Sequence, residues 1–279
     1  MTPLAARNPR VQRVRRLARR RRERVDERAF VLEGPHVVEA ALAAGIELEA
    51  VFHEAAAVDL ADRARALGVA VHELEPGTLA RVTDAVTPQP VIAVAPWCDA
   101  PLGAVLGAAC PDGGAERPVV VLLDVRDPGN AGTLLRTAEA SGAAGVVVAG
   151  QSVDVFNPKC VRASAGALFH LPVALAGDVA SALAALHEGG LRTIGTAADG
   201  PIDYDHCDLT GPVALLLGNE AAGLPAGVQA AVDQVVAIPI EGRAESLNVA
   251  AAGAVLCFEA ARQRRAGGAN PSSVATGHP

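Results

Sequence analysis

Short apolar runs alternate along the chain with longer alanine-rich stretches, and glycine or proline marks most of the junctions. The short runs lack polar alternation and read as buried strands. FVLEG (30–34), LEAVFHE (48–54), VAVHEL (69–74) and VIAVA (91–95) fall in the first third. VVVLLDV (119–125), GVVVAG (145–150), LPVAL (171–175), RTIGTA (192–197), VALLLG (213–218) and QVVAIPI (234–240) follow. The stretches between them have helical spacing. Pro35 opens one over HVVEAALAAG, which Gly45 closes, and VDLADRARALG (58–68) ends on Gly68. A last helix is expected from Glu245 to Arg265. Unbroken apolar strands with helices between them predict an α/β fold with a parallel sheet covered on both faces.

The same pattern divides the chain. Residues 28–97 form a first, smaller α/β unit and 118–266 a second, larger one. The Pro/Gly-rich stretch 98–117 is expected to be a linker. Residues 267–279 are too poor in apolar side chains to fold and are expected to be a disordered tail.

Charge adds a feature that hydropathy does not show. The net charge is −7, yet residues 1–28 hold eleven arginines against three carboxylates, a balance of +8 that leaves −15 on the rest. A concentrated basic arm over 1–27 on an acidic protein is a footprint for a polyanion. Aromatic residues make up only 3% of the chain, which favours phosphate contact over base stacking. Arg13, Arg16 and Arg20 of the arm are the candidates, with Lys159, the only lysine, and Arg162 farther along. Ser164 and Gly166 after them suggest a flexible loop. No apolar run reaches the ~18–20 residues that a bilayer requires, and the start lacks the apolar run of a secretory signal, so no membrane partner is expected. The five cysteines are odd in number and never form a CxxC pair, which argues against a disulfide framework or a zinc site. No metal is expected, and the reducing cytoplasm is the natural compartment.

Three glycine-punctuated segments each follow a strand: LLDVRDPGNAGTLLRTAEASG (122–142), LLLGNEAAGLP (215–225) and IPIEGRAESLNVAAAGAVLCFEAARQRR (238–265). The first lacks both GxGxxG and GKS/T, so a dinucleotide or triphosphate site is poorly supported. Residue by residue, Asn130 can cap a helix starting near Ala131, and Gly132 can be a packing residue. Arg136 lies on the helix's buried side, where it acts on a ligand or pairs with Asp124 or Asp127. Glu220 reads as solvated or functional, and Ser246 as the cap of the last helix or a site residue. Loops at strand carboxyl ends can line one crevice.

Taken together and in this order, DxxDPGNAGTLLRTA, LxLGNEAxGLP and IPIxGxxESLNVAAA resemble the three motifs of the SpoU (TrmH-like) family of RNA ribose 2′-O-methyltransferases in the SPOUT superfamily. FVLEGPHVVEAALAAG is similar to the start of the ribosomal-protein-like substrate-binding domain of that family, and the arm to its amino-terminal segment. The resemblance implies a carboxyl-terminal trefoil knot and a homodimer formed through the catalytic domain. It implies S-adenosyl-L-methionine held by Thr196, Gly218, Ile238, Leu247 and Asn248, and a catalytic set of Asn130, Arg136, Glu220, Ser246 and Asn248. Arginine stays protonated in water, so the expected part of Arg136 is to bind phosphate and stabilise the developing oxyanion. The implied substrate is structured RNA, ribosomal before transfer RNA. A non-catalytic RNA-binding protein on the same fold is the alternative.

Overall fold

The computed structural model describes residues 2–83, 87–111 and 114–268. Two compact units make up the chain, and they interleave in sequence. The first comprises Met1–Asp99, Arg126–Arg136 and Val153–Leu171; the second comprises Ala100–Val125, Thr137–Ser152 and the residues from Pro172 on.

In the first unit, α1 (Pro9–Arg19) and α2 (Arg21–Glu27) precede β1 (Ala29–Glu33). Then come α3 (Pro35–Ala43), β2 (Ala50–His53), α4 (Val58–Ala66), β3 (Ala70–Glu73), α5 (Leu79–Val82) and β4 (Val91–Pro96). The sheet order is β1-β4-β2-β3, antiparallel except for the β2–β3 pair. The arm is therefore helical rather than an extension outside the fold. Asn8 caps α1 by accepting from the Arg10 amide at 3.0 Å, and Pro9 follows at the first turn. Val11, Val14 and Leu17 are three residues apart, and all are buried against Ala29, Val31, Ile92 and Val94. Each contributes about 1.5–3 kcal/mol by leaving water, enough to hold a helix that carries so many arginines.

The second unit continues with α6 (Leu102–Ala109), β5 (Val119–Leu123), α7 (Pro128–Ala140), β6 (Gly145–Ala149), α8 (Pro158–Ser164), β7 (Val173–Gly177) and α9 (Val179–Glu188). Of these, α8 and the first nine residues of α7 belong to the first unit. It closes with β8 (Arg192–Thr196), β9 (Ile202–Asp203), β10 (Val213–Leu217), α10 (Ala226–Gln229), β11 (Gln234–Ala237) and α11 (Val249–Gly268). Among the described residues the sheet order is β7-β6-β5-β10-β8-β11-β9, with every pair parallel. Val105, Ala109, Ala182 and Leu186 pack α6 and α9 onto one face of this sheet, and α11 packs on β10.

Several expectations are corrected. The stretch expected as a linker carries α6, because LGAVLGAA supplies Val105 and Ala109 to the core. Asn157 and Pro158 start a helix where a flexible loop was expected: Asn157 accepts from the Lys159 amide at 2.9 Å. Ser164 is buried there, its hydroxyl donating to the Val161 carbonyl at 2.8 Å. The last helix begins at Val249, four residues later than expected. The tail expected over 267–279 lies, from 269 on, outside the described residues.

Candidate active site

The second and third motif segments converge at the carboxyl edge of the parallel sheet. They enclose a cavity of about 330 Å³ in the second unit, lined by residues 196–199, 218–224, 238, 240, 246–247 and neighbours. That volume lies within the ~300–1,000 Å³ range of small-molecule sites. Thr196, Gly218, Ile238 and Leu247, all expected to hold cofactor, line it, and so do Glu220 and Ser246 of the catalytic set. Ile240 and Leu247 are 37% and 39% exposed, so the walls present apolar surface without a covering side chain. The Thr196 hydroxyl donates to the Leu216 carbonyl at 3.0 Å, tying the end of β8 to β10.

The reason for the glycine at 218 is internal to the loop. A Cβ there would stand 2.3 Å from the Gly223 carbonyl carbon and 2.5 Å from the Leu224 nitrogen. The loop turns back on itself, with Asn219 and Gly223 exchanging both backbone hydrogen bonds at 3.0 and 2.9 Å. So the backbone of residues 223–224, rather than a ligand alone, excludes a side chain at 218. Asn219 completes the turn: its Oδ1 accepts from the Ala221 and Ala222 amides at 3.0 Å each. The motif reading passed over this residue. An Asn inside a Gly-x-x-x-x-Gly loop is the signal that points to it, since its side chain satisfies backbone amides two residues on.

Asn248, not Ser246, caps α11. Its Oδ1 accepts from Ala250 and Ala251 at 2.9 and 3.3 Å, while Ser246 stays exposed at the cavity wall. The side-chain oxygen of Asn248 is therefore committed to the helix start.

The first motif segment lies partly in the other unit, and its cap also differs from expectation. Asp127, not Asn130, caps α7: its Oδ1 accepts from the Gly129 and Asn130 amides at 2.7 and 2.9 Å. The Lys159 ammonium, 2.9 Å away, and then those amides hold the Asp127 carboxyl below the usual carboxylate range. Asn130 thus sits inside the first turn of α7. Gly132 is the packing residue that was expected. A Cβ there would stand 2.4 Å from the Cys160 carbonyl oxygen and 2.6 Å from Ala163 Cβ, so α7 and α8 approach at backbone distance. Arg136 is exposed, not on the buried side of the helix. The two carboxylates considered as its partners are engaged elsewhere, Asp127 by Lys159 and Asp124 by the Gln151 amide at 2.6 Å.

The residues expected to meet RNA phosphate all lie beside carboxylates. Arg13 is bonded to Glu27 at 2.5 Å and Glu49 at 2.7 Å, Arg16 to Glu23 at 3.2 Å, and Arg20 lies 3.7 Å from Glu23. Lys159 pairs with Asp127 and Arg162 with Glu33. Arg7, Arg10, Arg15 and Arg21 are exposed and form no ion pair among the described residues. The cysteines are unpaired thiols. Burial pushes those of Cys160 and Cys257 up to about 12, which makes them inert core groups. Asp203, Asp205 and His206 form an exposed cluster whose ligand atoms lie within 4.8 Å of one another.

A parallel sheet with a small-molecule cavity outside its strand ends defines an α/β ligand-binding class, and comparison with known proteins narrows it. The SpoU rRNA Methylase family matches residues 117–258, and the MRM3-like substrate binding domain matches residues 8–93. The chain belongs to the SpoU rRNA methylase family. It is 34% identical over 241 residues to the 23S rRNA (guanosine(2553)-2'-O)-methyltransferase RlmP of Bacillus subtilis, covering 85% of this chain and 90% of that one. The AdoMet-bound rRNA methyltransferase from Sinorhizobium meliloti is similar with a TM-score of 0.80 and 33% identity, over 91% of this chain and 95% of that chain. The SpoU methyltransferase AviRb from Streptomyces viridochromogenes has a TM-score of 0.82 and 29% identity, over 93% and 99% of the two chains. No helix among the described residues is long and apolar enough to cross a membrane.

Proposed function

We propose that this protein transfers a methyl group from S-adenosylmethionine to a ribose 2′-hydroxyl of RNA, with ribosomal RNA as the substrate. The observation that carries the reading is the cavity: two motif loops that meet nowhere in sequence line one partly apolar space in a member of a methylase family. The donor set fits the cofactor. Ile238, Ile240 and Leu247 supply apolar walls for an adenine, while Thr196, Glu220 and Ser246 bring polar atoms to the same walls. When bound, S-adenosylmethionine supplies a methyl group made electrophilic by its sulfonium.

The protein's part is orientation and charge. Arg136 is a permanent cation on the exposed face of α7, suited to hold a phosphate and to stabilise negative charge developing on the attacking oxygen. Asn130, six residues earlier on the same helix, orients the ribose. Glu220, Ser246 and Asn248 complete the polar set. The first unit, with the arm, is the RNA-holding part, and its exposed arginines at 7, 10, 15 and 21 are better placed for phosphate than the carboxylate-paired Arg13, Arg16 and Arg20. Their charge and exposure support that assignment.

The motif resemblance also supports a trefoil knot in the carboxyl-terminal segment and a homodimer through the catalytic unit. The free thiols favour the cytoplasm. The test is methyl incorporation from labelled cofactor into ribosomal and transfer RNA, followed by nucleoside analysis. A 2′-O-methylated nucleoside in ribosomal RNA is the expected product. A methylated base, or no incorporation at all, refutes the reading.

A further inference from the structure

Asn219 has a second set of contacts that the turn itself does not require. We propose that Asn219 is a positioning residue whose amino group fastens the cofactor loop to the end of β5. The proposal rests on the reading of the cavity as an S-adenosylmethionine site. The Nδ2 atom donates to the Asp124 carbonyl at 2.9 Å and lies 3.4 Å from Glu220 Oε2. Asp124 is held for this contact. It is a non-glycine residue in the left-handed region, with φ 56°, a conformation that L side chains adopt at a cost. Its carboxylate accepts from the Gln151 amide at 2.6 Å, just past the end of β6, while its carbonyl receives the Asn219 amino group.

The result is a belt of side-chain bonds across the carboxyl ends of β6, β5 and β10, which are neighbours in the sheet. Residues 218–224, which line the cavity, hang from one end of it. The oxygen of Asn219 shapes the loop, and its amino group sets where the loop sits.

Those two halves can be separated. In Asn219→Asp the retained oxygen can still accept from Ala221 and Ala222. The second oxygen faces the Asp124 carbonyl and Glu220, where an amino group is needed. Asn219→Ala removes both halves. Calorimetric titration of the full chain with S-adenosylmethionine is expected to give a Kd raised about tenfold in N219A and at least as much in N219D, the loss of about one part-buried hydrogen bond. KM for the cofactor should rise with it, while kcat at saturating cofactor and KM for RNA move by less than about twofold. A residue that merely forms the turn predicts the opposite for N219D: affinity equal to wild type. That result overturns the proposal, as does a fall in kcat with unchanged cofactor KM. If thermal melting shows N219D unfolded, N219A, which adds no repulsion, still tests the proposal: an unchanged Kd in it overturns it. Absence of binding by the wild-type chain would instead refute the cofactor reading itself.

Discussion

Arg24 and Arg136 belong to the same compact unit and put the same guanidinium to opposite uses. Arg24 is buried, with its Nε on Asp154 at 2.7 Å and Nη1 on the Leu17 carbonyl at 2.7 Å. Buried and paired with the Asp154 carboxylate, its charge is neutralised inside the protein and is lost to any ligand. Arg136 stands exposed on α7, and the two carboxylates considered as its partners, Asp127 and Asp124, are held by Lys159 and the Gln151 amide. An arginine in the first setting is a structural bond. In the second it is a charge available to a phosphate. The arm shows both settings side by side, and its ten arginines are therefore not ten equivalent RNA contacts.

The largest effect expected from breaking this comparison is on Arg24. Arg24→Met leaves the buried Asp154 carboxyl without its counter-charge, which costs about 3–5 kcal/mol, measured as a fall in the urea midpoint. The double variant R24M/D154L should recover most of that loss, because no charge is left behind. Arg136→Ala is expected to lower kcat by about 10²–10³ while leaving stability within about 0.5 kcal/mol and cofactor affinity unchanged. Full activity in that variant would remove Arg136 from the chemistry. Gly132→Ala, on the helix that carries Arg136, should destabilise by about 1–3 kcal/mol, since the 2.4 Å approach to the Cys160 carbonyl leaves no room and the backbones must part.

Within the arm, converting Arg7, Arg10, Arg15 and Arg21 to Gln should flatten the dependence of RNA affinity on salt by about 0.7–0.9 in log–log slope for each phosphate that is no longer neutralised. Converting Arg13 and Arg16 should change that slope far less, because their carboxylate partners compete for them. The smallest effect concerns Asp127, whose lowered pKa means a contribution present above the unfolded value and lost as pH falls through the folded one. The Lys159 pair is exposed, so the contribution is under about 1 kcal/mol. Asp127→Asn should remove it, seen as a flatter acid limb in urea midpoints between about pH 2 and 6.

Most strands were legible because they are buried along their length and read as unbroken apolar runs, and every assigned run overlaps an observed strand. Ile202–Asp203 was too short to register. The helices of the arm were not legible for a physical reason: Val11, Val14 and Leu17 are only three apolar positions among many arginines, so composition hid a one-sided helix. The stretch with α6 was misread in the opposite way, its prolines and glycines outweighing an eight-residue apolar helix. At the site, the cavity-lining residues of the second and third motifs were legible from motif order. The division of labour within each motif was not. Which of Asp127 and Asn130 caps α7, or of Ser246 and Asn248 caps α11, depends on where the first helical turn begins, and that differs by only two or three residues. Asn219 stayed invisible because its partner, Asp124, is 95 positions away.

The pair of Arg24 and Asp154 is separated by 130 positions, and Phe156, which stacks on Trp97 and packs on Phe30, arrives from the same late segment. During synthesis the first 99 residues, Arg24 included, are complete before Asp154 or Phe156 has been made. At about 5–20 residues per second, the buried guanidinium waits on the order of 3–10 s for its counter-charge after Asp99 is added. The first unit therefore cannot close when its long first block is made, although its last segment, Val153–Leu171, is still translated well before the second unit is complete. Its closure is timed by a segment encoded beyond β6.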